Sequence, residues 1–203
     1  PVDFRLYLVT DRHQTGGRPL LPLLREALGA GLRTVQLRER DLATRPLLTL
    51  AEEVLRLTRE HKALLLINDR VDLVLAVGAD GVHLRSDSLP VAAARRLLGP
   101  HRLIGVSAHS VDEVVRAESE GADFALLGPV YETPSKRAYG PPIGLRPGLD
   151  RCGPAGGRVG VARPVSANAG RVIARAGSAR YGGRTVLVDP SPTPKPMLNL
   201  RPH

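Results

Sequence analysis

The chain has little with which to cross-link, stack or anchor itself. Of its 203 residues one is a cysteine, Cys152, none is a tryptophan, and aromatics make up 3%. A single cysteine excludes an internal disulfide and points to a reducing, cytoplasmic setting. So few aromatics leave little to stack against the bases of single-stranded nucleic acid. No apolar run approaches the ~18 residues of a membrane span. The opening P-V-D-F-R also lacks the charged-then-apolar pattern of a signal peptide. The expectation is a cytoplasmic protein with no membrane partner.

What the chain does have is positive charge, a formal +9, and its distribution decides what it means. From Arg146 onward nine Arg and one Lys stand against two Asp, which leaves +1 for the first 145 residues. A nearly neutral body with a basic tail is not the footprint of a nucleic-acid groove, so no nucleic-acid partner is expected. The length suits one domain with a substantial core.

Strands and helices alternate along the body. Residues 4–10 are rich in β-formers and end in Asp11-Arg12. Leucines at helical spacing run from Leu20 to Ala30, where Gly31 stops them. A strand at Thr34–Arg38 follows, then a helix with Thr44 as its cap and Pro46 in its first turn, its leucines recurring to Leu57. Leu64–Ile67 is a continuous apolar run, as in a strand buried on both faces. Helices at Val71–Val77 and Pro90–Leu98 enclose a strand at Gly81–Leu84. Leu103–Ser107 is the next strand, Ser110-x-x-Glu113 a capping box for a helix to Glu120, and Phe124–Leu127 the sixth strand. The segments V-G-A-D-G-V-H-L (Val77–Leu84) and E-G-A-D-F-A-L-L (Glu120–Leu127) echo each other as helix end, glycine stop and strand.

Alternation of this kind implies a parallel α/β sheet. A Gly-x-Gly-x-x-Gly turn after the first strand is absent, which favours a (β/α)8 TIM barrel over a dinucleotide-binding sheet. In a barrel, chemistry gathers at the carboxyl ends of the strands. The polar residues fall there: Gln36, Arg38, Glu39, Arg40 and Asp41 after strand two, Asn68 and Asp69 after strand three, His83 on strand four, Ser107 and His109 at strand five. After strand six comes the loop G-P-V-Y-E-T-P-S-K-R-A-Y-G-P-P-I-G-L (Gly128–Leu145), whose Thr133, Ser135 and Lys136 suit an anion. Convergence of five strand ends on polar residues points to a site in the barrel mouth.

The stretches Y-L-V-T-D (Tyr7–Asp11), Q-L-R-E-R-D (Gln36–Asp41), I-N-D-R-V-D-L (Ile67–Leu73), G-V-H-L (Gly81–Leu84), I-G-V-S-A-H-S (Ile104–Ser110) and G-P-V-Y-E-T-P-S-K (Gly128–Lys136) resemble, in order and spacing, the thiamine phosphate synthase and thiazole tautomerase (TenI-like) superfamily. The resemblance implies a TIM-barrel enzyme of thiamine biosynthesis whose ligand is a small phosphorylated thiazole. In the synthase branch Mg2+ helps expel pyrophosphate from a pyrimidine methyl diphosphate, and the thiazole nitrogen captures the cation. Carried over, Gln36 and Arg38 hold the diphosphate substrate with Asn68 assisting, and Arg40 stands for a usual lysine. Ser107, Thr133, Ser135 and Lys136 hold phosphoryl oxygens, and Asp69 binds the metal.

Two departures favour the other branch. Strand four of the synthases usually continues G-Q-[DE]-D, whereas this chain has Arg85-Ser86-Asp87-Ser88, so the second metal ligand is a serine with Asp87 one place earlier. The tautomerase needs no cofactor: it aromatises a thiazole by moving a proton, and His109 is the acid and base suited to that. Glu132, where synthases often carry proline, leans the same way. The expectation is therefore a thiazole tautomerase with His109 catalytic. Thiamine phosphate synthase, with Mg2+ on Asp69 and Asp87, is the alternative, and a non-catalytic thiazole phosphate binder is a third. A homo-oligomer is one option for its assembly.

Residues 1–145 carry the first six β/α units, and 146–203 form an atypical Gly/Pro/Arg-rich end of the same domain. Nine glycines and eight prolines among those last 58 residues suggest low complexity. Val165–Gly177 faintly echoes the family's seventh helix, yet Ala162-Arg163-Pro164 replaces the usual Gly-Gly loop. Without strands seven and eight the barrel would stay open with exposed edges, for which Val159–Val161 and Thr185–Val188 are poor substitutes. Arg, Gly, Pro and Ala are what GC-rich DNA yields out of frame, so a shifted frame, or else a strongly degenerate end of the barrel, is expected. Sequencing the locus tests this, and the idea fails if no alternative frame encodes a barrel end with a Gly-Gly loop.

Overall fold

The computed structural model describes residues 6–128 and, beyond them, five short strands, 160–161, 163–164, 171–174, 179–181 and 184–188. In the body, β1 (Leu6–Val9), β2 (Thr34–Leu37), β3 (Leu64–Asn68), β4 (Gly81–Leu84), β5 (Leu103–Ala108) and β6 (Phe124–Leu127) alternate with α1 (Leu20–Gly29), α2 (Thr44–Glu60), α3 (Val71–Val77), α4 (Val91–Leu98) and α5 (Val111–Ser119). All five neighbouring pairs from β1 to β6 are parallel and in sequential order. The fold is α/β, a TIM-type half-barrel of six strands with its helices. Among the described residues no helix is long and apolar enough to cross a membrane.

Two cores follow from the period-2 alternation of strand side chains. Val35, Leu37, Leu65, Ile67, Val82, Ile104 and Val106 face outward. There they meet Leu24 and Leu28 of α1, Leu47, Ala51 and Val54 of α2 and their counterparts on later helices. The inward set is smaller: Tyr7, Val9, Leu66 and Phe124 cluster on the barrel face. Gly105 leaves room there. A Cβ on it would lie 2.2 Å from Phe124 Cζ, and the two residues are register partners on β5 and β6. Large against small across adjacent strands is how this layer fills without a void.

The sequence echo is a repeated staple at the amino ends of the strands. Gly78 and Gly121 both adopt positive φ, and each is followed two residues later by an aspartate. Asp80 accepts the Leu65 amide at 2.8 Å and pairs with Arg59 of α2 at 2.7 Å. Asp123 accepts the Ile104 amide at 2.8 Å and pairs with Arg95 of α4 at 2.6 Å. In each case the carboxylate ties its own strand to the second residue of the preceding one and to the helix leading into it. Only two units carry this staple because only they carry the aspartate at that offset.

Several local expectations need correction. Thr44 does not cap α2. Ala43 occupies that position without a side-chain bond, and the Thr44 hydroxyl instead accepts from Arg70. Ser110 does cap α5, accepting from the Glu113 amide at 3.2 Å, but Glu113 reaches back to the His109 amide, one residue earlier than in a capping box.

The largest correction concerns the tail. β11 (Arg184–Val188) pairs parallel with β6, and β7 (Gly160–Val161) pairs with β11, so the substitute strands do occupy that edge. At the other edge β9 (Arg171–Ala174), flanked by β8 (Arg163–Pro164), pairs antiparallel with β1. A strand therefore stands within Val165–Gly177, where the helical echo was expected. β10 (Ala179–Tyr181) pairs antiparallel with β11 and ends the sheet. The edges of β1 and β6 are covered rather than exposed, because β-branched and apolar residues in the tail can satisfy a ladder even when they cannot supply a β/α unit. Among the described residues no pairing joins the two ends of the sheet.

The Gly105–Phe124 fit predicts that Gly105→Ala costs about 1–3 kcal/mol through overpacking. Phe124→Leu added to that background should recover part of the loss in urea denaturation. Strictly additive losses would show that the two residues do not share the space.

Candidate active site at the barrel mouth

The inward face turns polar toward the carboxyl ends of the strands. Gln36, Asn68, His83 and Ser107 occupy the positions after the apolar inward residues, and they form two linked pairs. Gln36 Nε2 donates to Asn68 Oδ1 at 2.9 Å across β2 and β3. His83 Nε2 lies 3.1 Å from Ser107 Oγ, and His83 Nδ1 lies 3.2 Å from the Tyr7 hydroxyl. His83 is buried inside the barrel. Burial, and secondarily the charge of Arg38, push its pKa down to about 3. Burial likewise raises the Tyr7 phenol, so both groups are neutral near pH 7. Either tautomer of the imidazole satisfies Tyr7 and Ser107, since each hydroxyl can donate or accept.

The β2 loop is held by residues whose roles the sequence did not disclose. Thr10, buried at the end of β1, accepts the Arg38 amide at 2.9 Å. Arg12 donates its amide to Glu39 at 3.1 Å and its guanidinium to both Glu39 and Asp41. His13 adds a contact to Asp41 at 2.9 Å. Arg12, and then His13, hold the Asp41 carboxyl well below the usual carboxylate range. Glu39 is 1% exposed at its side chain, and its Oε1 has no hydrogen-bond partner among the described residues. This clamp aims Arg38 toward the mouth half-buried, while Arg40 stays on the exposed rim. An acidic residue after a strand end is the one signal that could have found it, but its partner 27 residues away could not be read from spacing.

His109 follows β5. Its Nδ1 lies 2.6 Å from the carbonyl oxygen of Gly128, and Glu113 accepts its amide. A carbonyl only accepts, so Nδ1 is the donor in this contact. Gly128 opens the anion-suited loop, and its own amide donates to Ala108 at 3.0 Å. His109 therefore grips the root of that loop. Thr133, Ser135, Lys136 and Glu132 lie outside the described residues.

The proposed metal ligands are brought together, but around a cation of the chain's own. Arg85 Nε sits 3.2 Å from Asp69 Oδ2 and 3.1 Å from Asp87 Oδ1. Arg70 occupies the position before α3, and Asp69 ahead of it holds φ at +64° with its amide donated to the His83 carbonyl at 2.9 Å. The Ser88 amide donates to the Arg85 carbonyl at 3.3 Å. Among the described residues no group of three or more His, Cys, Asp or Glu could hold a metal ion. With a guanidinium between them, Asp69 and Asp87 do not fit a divalent cation, which requires its oxygens at about 2.0–2.6 Å with no competing positive charge.

A family model described as thiamine monophosphate synthase (TMP-TENI) matches residues 6–151. The chain belongs to that family. A putative thiamine-phosphate synthase of Geobacter sulfurreducens is 59% identical over 144 residues, 71% of this chain and 68% of that protein. The thiamine-phosphate synthase of Clostridium novyi is 42% identical over 144 residues, 71% of each chain. The solved thiamine phosphate pyrophosphorylase from Pyrococcus furiosus superposes with a TM-score of 0.58 at 38% identity, covering 63% of this chain and 61% of that one. Member of an enzyme family of thiamine biosynthesis, the chain shares about two thirds of these relatives' length. The relatives carry the synthase's name, so the lean toward the tautomerase finds no support among them.

His83 makes a measurable prediction. Unfolded, it takes up a proton near pH 6.5; folded, only near 3. Above the unfolded value this group leaves stability unchanged. As pH falls through the window between the two, the unfolded chain gains the extra proton and stability drops by up to about 1.4 kcal/mol per pH unit. Urea midpoints of His83→Gln should depend less steeply on pH across that window, and slopes equal to those of the native chain would contradict a neutral buried His83.

Proposed function

We propose that the mouth joins a thiazole phosphate to a pyrimidine methyl diphosphate, as the relatives' name indicates for their own reaction. The thiazole nitrogen forms a bond to the pyrimidine methylene carbon. The carbon–oxygen bond to the diphosphate breaks, and pyrophosphate leaves with the electron pair. The Gln36–Asn68 pair carries this reading. Whichever way the amides are turned, their contact uses one donor and one acceptor, so one carbonyl and one amine remain to meet the edge of an aminopyrimidine. Arg38, half-buried beside them and held by Thr10, suits the diphosphate. Ser107, held by His83, is the adjacent hydroxyl. Thr133, Ser135 and Lys136 are assigned to the thiazole phosphate by the family resemblance.

In the family's synthases Mg2+ would supply charge neutralisation of the departing diphosphate. In this chain Asp69 and Asp87 hold the Arg85 guanidinium instead. His109 serves in this reading as a positioning residue, fixing the root of the phosphate loop through Gly128.

Incubation with both substrates should release pyrophosphate and form thiamine phosphate in equal amounts. His109→Ala should lower that rate by roughly tenfold, a loss of about 1.4 kcal/mol, with most of the effect in KM for the thiazole phosphate. Proton exchange into a dihydrothiazole without pyrophosphate release, abolished by the same substitution, would instead establish the tautomerase. Binding of thiazole phosphate with no turnover of either kind would leave a non-catalytic binder.

A further inference from the structure

We propose that Arg85 is the resident cation of the mouth: its guanidinium bridges and half-neutralises the Asp69 and Asp87 carboxylates and thereby keeps a divalent ion from binding between them. Three observations carry this. The same Nε lies within 3.2 Å of one carboxylate and 3.1 Å of the other, and Nη2 lies 3.4 Å from the second oxygen of Asp87. Asp69 cannot readily swing aside, because its left-handed backbone and its amide bond to His83 fix where the side chain starts. Arg85 and Asp87 share one turn, closed by the Ser88 amide on the Arg85 carbonyl, so the clamp forms from groups already close in sequence.

Charge then decides the ligand. Two carboxylates alone would present −2 to the mouth and recruit a hard cation. With Arg85 between them the group presents −1, and an entering ion would meet a like charge at the oxygens it needs. Asp69 Oδ1, which like Glu39 Oε1 is buried with no hydrogen-bond partner among the described residues, is the oxygen of this clamp left to a water or a substrate donor. Arg85 is 43% exposed and Asp87 72%, so the individual ion pairs are weak and water-screened. The exclusion is competitive, which makes it testable by removing one side chain.

The experiment is an Mg2+ titration of the full chain by calorimetry, with each protein compared with its Asp69→Asn counterpart so that only Asp69-dependent binding is counted. The native chain is expected to show none in the millimolar range, and Arg85→Gln to acquire it with affinity at least about tenfold tighter. Because Arg85 is largely at the surface, the variant should fold, and its melting curve verifies that. Asp69-dependent binding in the native chain overturns the proposal. So does its absence from Arg85→Gln, since the guanidinium would then not be what keeps the ion out. The proposal rests on the synthase reading only for the choice of metal. A chain that excludes Mg2+ yet releases no pyrophosphate removes that reading and leaves Arg85 in place, whereas pyrophosphate release with native Asp69-dependent binding does the reverse.

Discussion

A half-barrel must fill its concave face with side chains from strands that are not yet closed upon themselves, and here one contact chain does most of that filling. Tyr7, His83 and Ser107 link β1, β4 and β5 by hydrogen bonds, and Phe124 from β6 packs edge-on against Tyr7 with ring centroids 5.7 Å apart. Such an aromatic contact adds about 0.5–1.5 kcal/mol beyond area burial. The larger effect is on chemistry: a neutral imidazole with both nitrogens used gives the apolar floor a polar top whose hydrogen bonds offset the desolvation of the buried ring. The mouth residues stand on that surface, and Ser107 is held by it directly.

Much of this organisation was legible in the residues themselves. Helical and strand periods placed every body element to within a few residues, because each element has one face that must be buried and the pattern of burial is the pattern of the sequence. The strand-end polar residues could be grouped into one site for the same reason: parallel order sends all carboxyl ends to one rim. Pairings between loops could not be read. Arg12 with Glu39 and Asp41, His109 with Gly128, and Arg85 with Asp69 depend on how separate loops meet in space, and nothing in the spacing of one loop reports the reach of another. Thr44 shows the complementary error, since a good capping residue lost its role when the chain entered the helix one residue earlier.

The tail shows how little sequence specificity an open sheet edge requires. β6 and β1 each offer a row of unpaired backbone groups, and a short run of β-formers can satisfy them in either direction. β11 joins β6 in the parallel sense that a barrel uses, while β9 joins β1 in the antiparallel sense that it does not. Edge pairing uses backbone groups alone, so it can be met in either sense without the side-chain pattern of a β/α unit.

His109 stands at the root of the loop after β6. A histidine after β5 looks like an acid or base when only its position is known, but its Nδ1–H is committed to the carbonyl of Gly128, where the β6 loop begins. The bond ties two neighbouring strand ends at the rim, next to the Gly128 amide bond to Ala108. Glu113, by accepting the His109 amide, couples the first turn of α5 to the same point. Anchored at its backbone amide and at Nδ1, the ring holds the start of the β6 loop and is oriented by the same bond, which fixes its position without taking up Nε2. The arrangement connects the helix start to the root of the β6 loop through one residue.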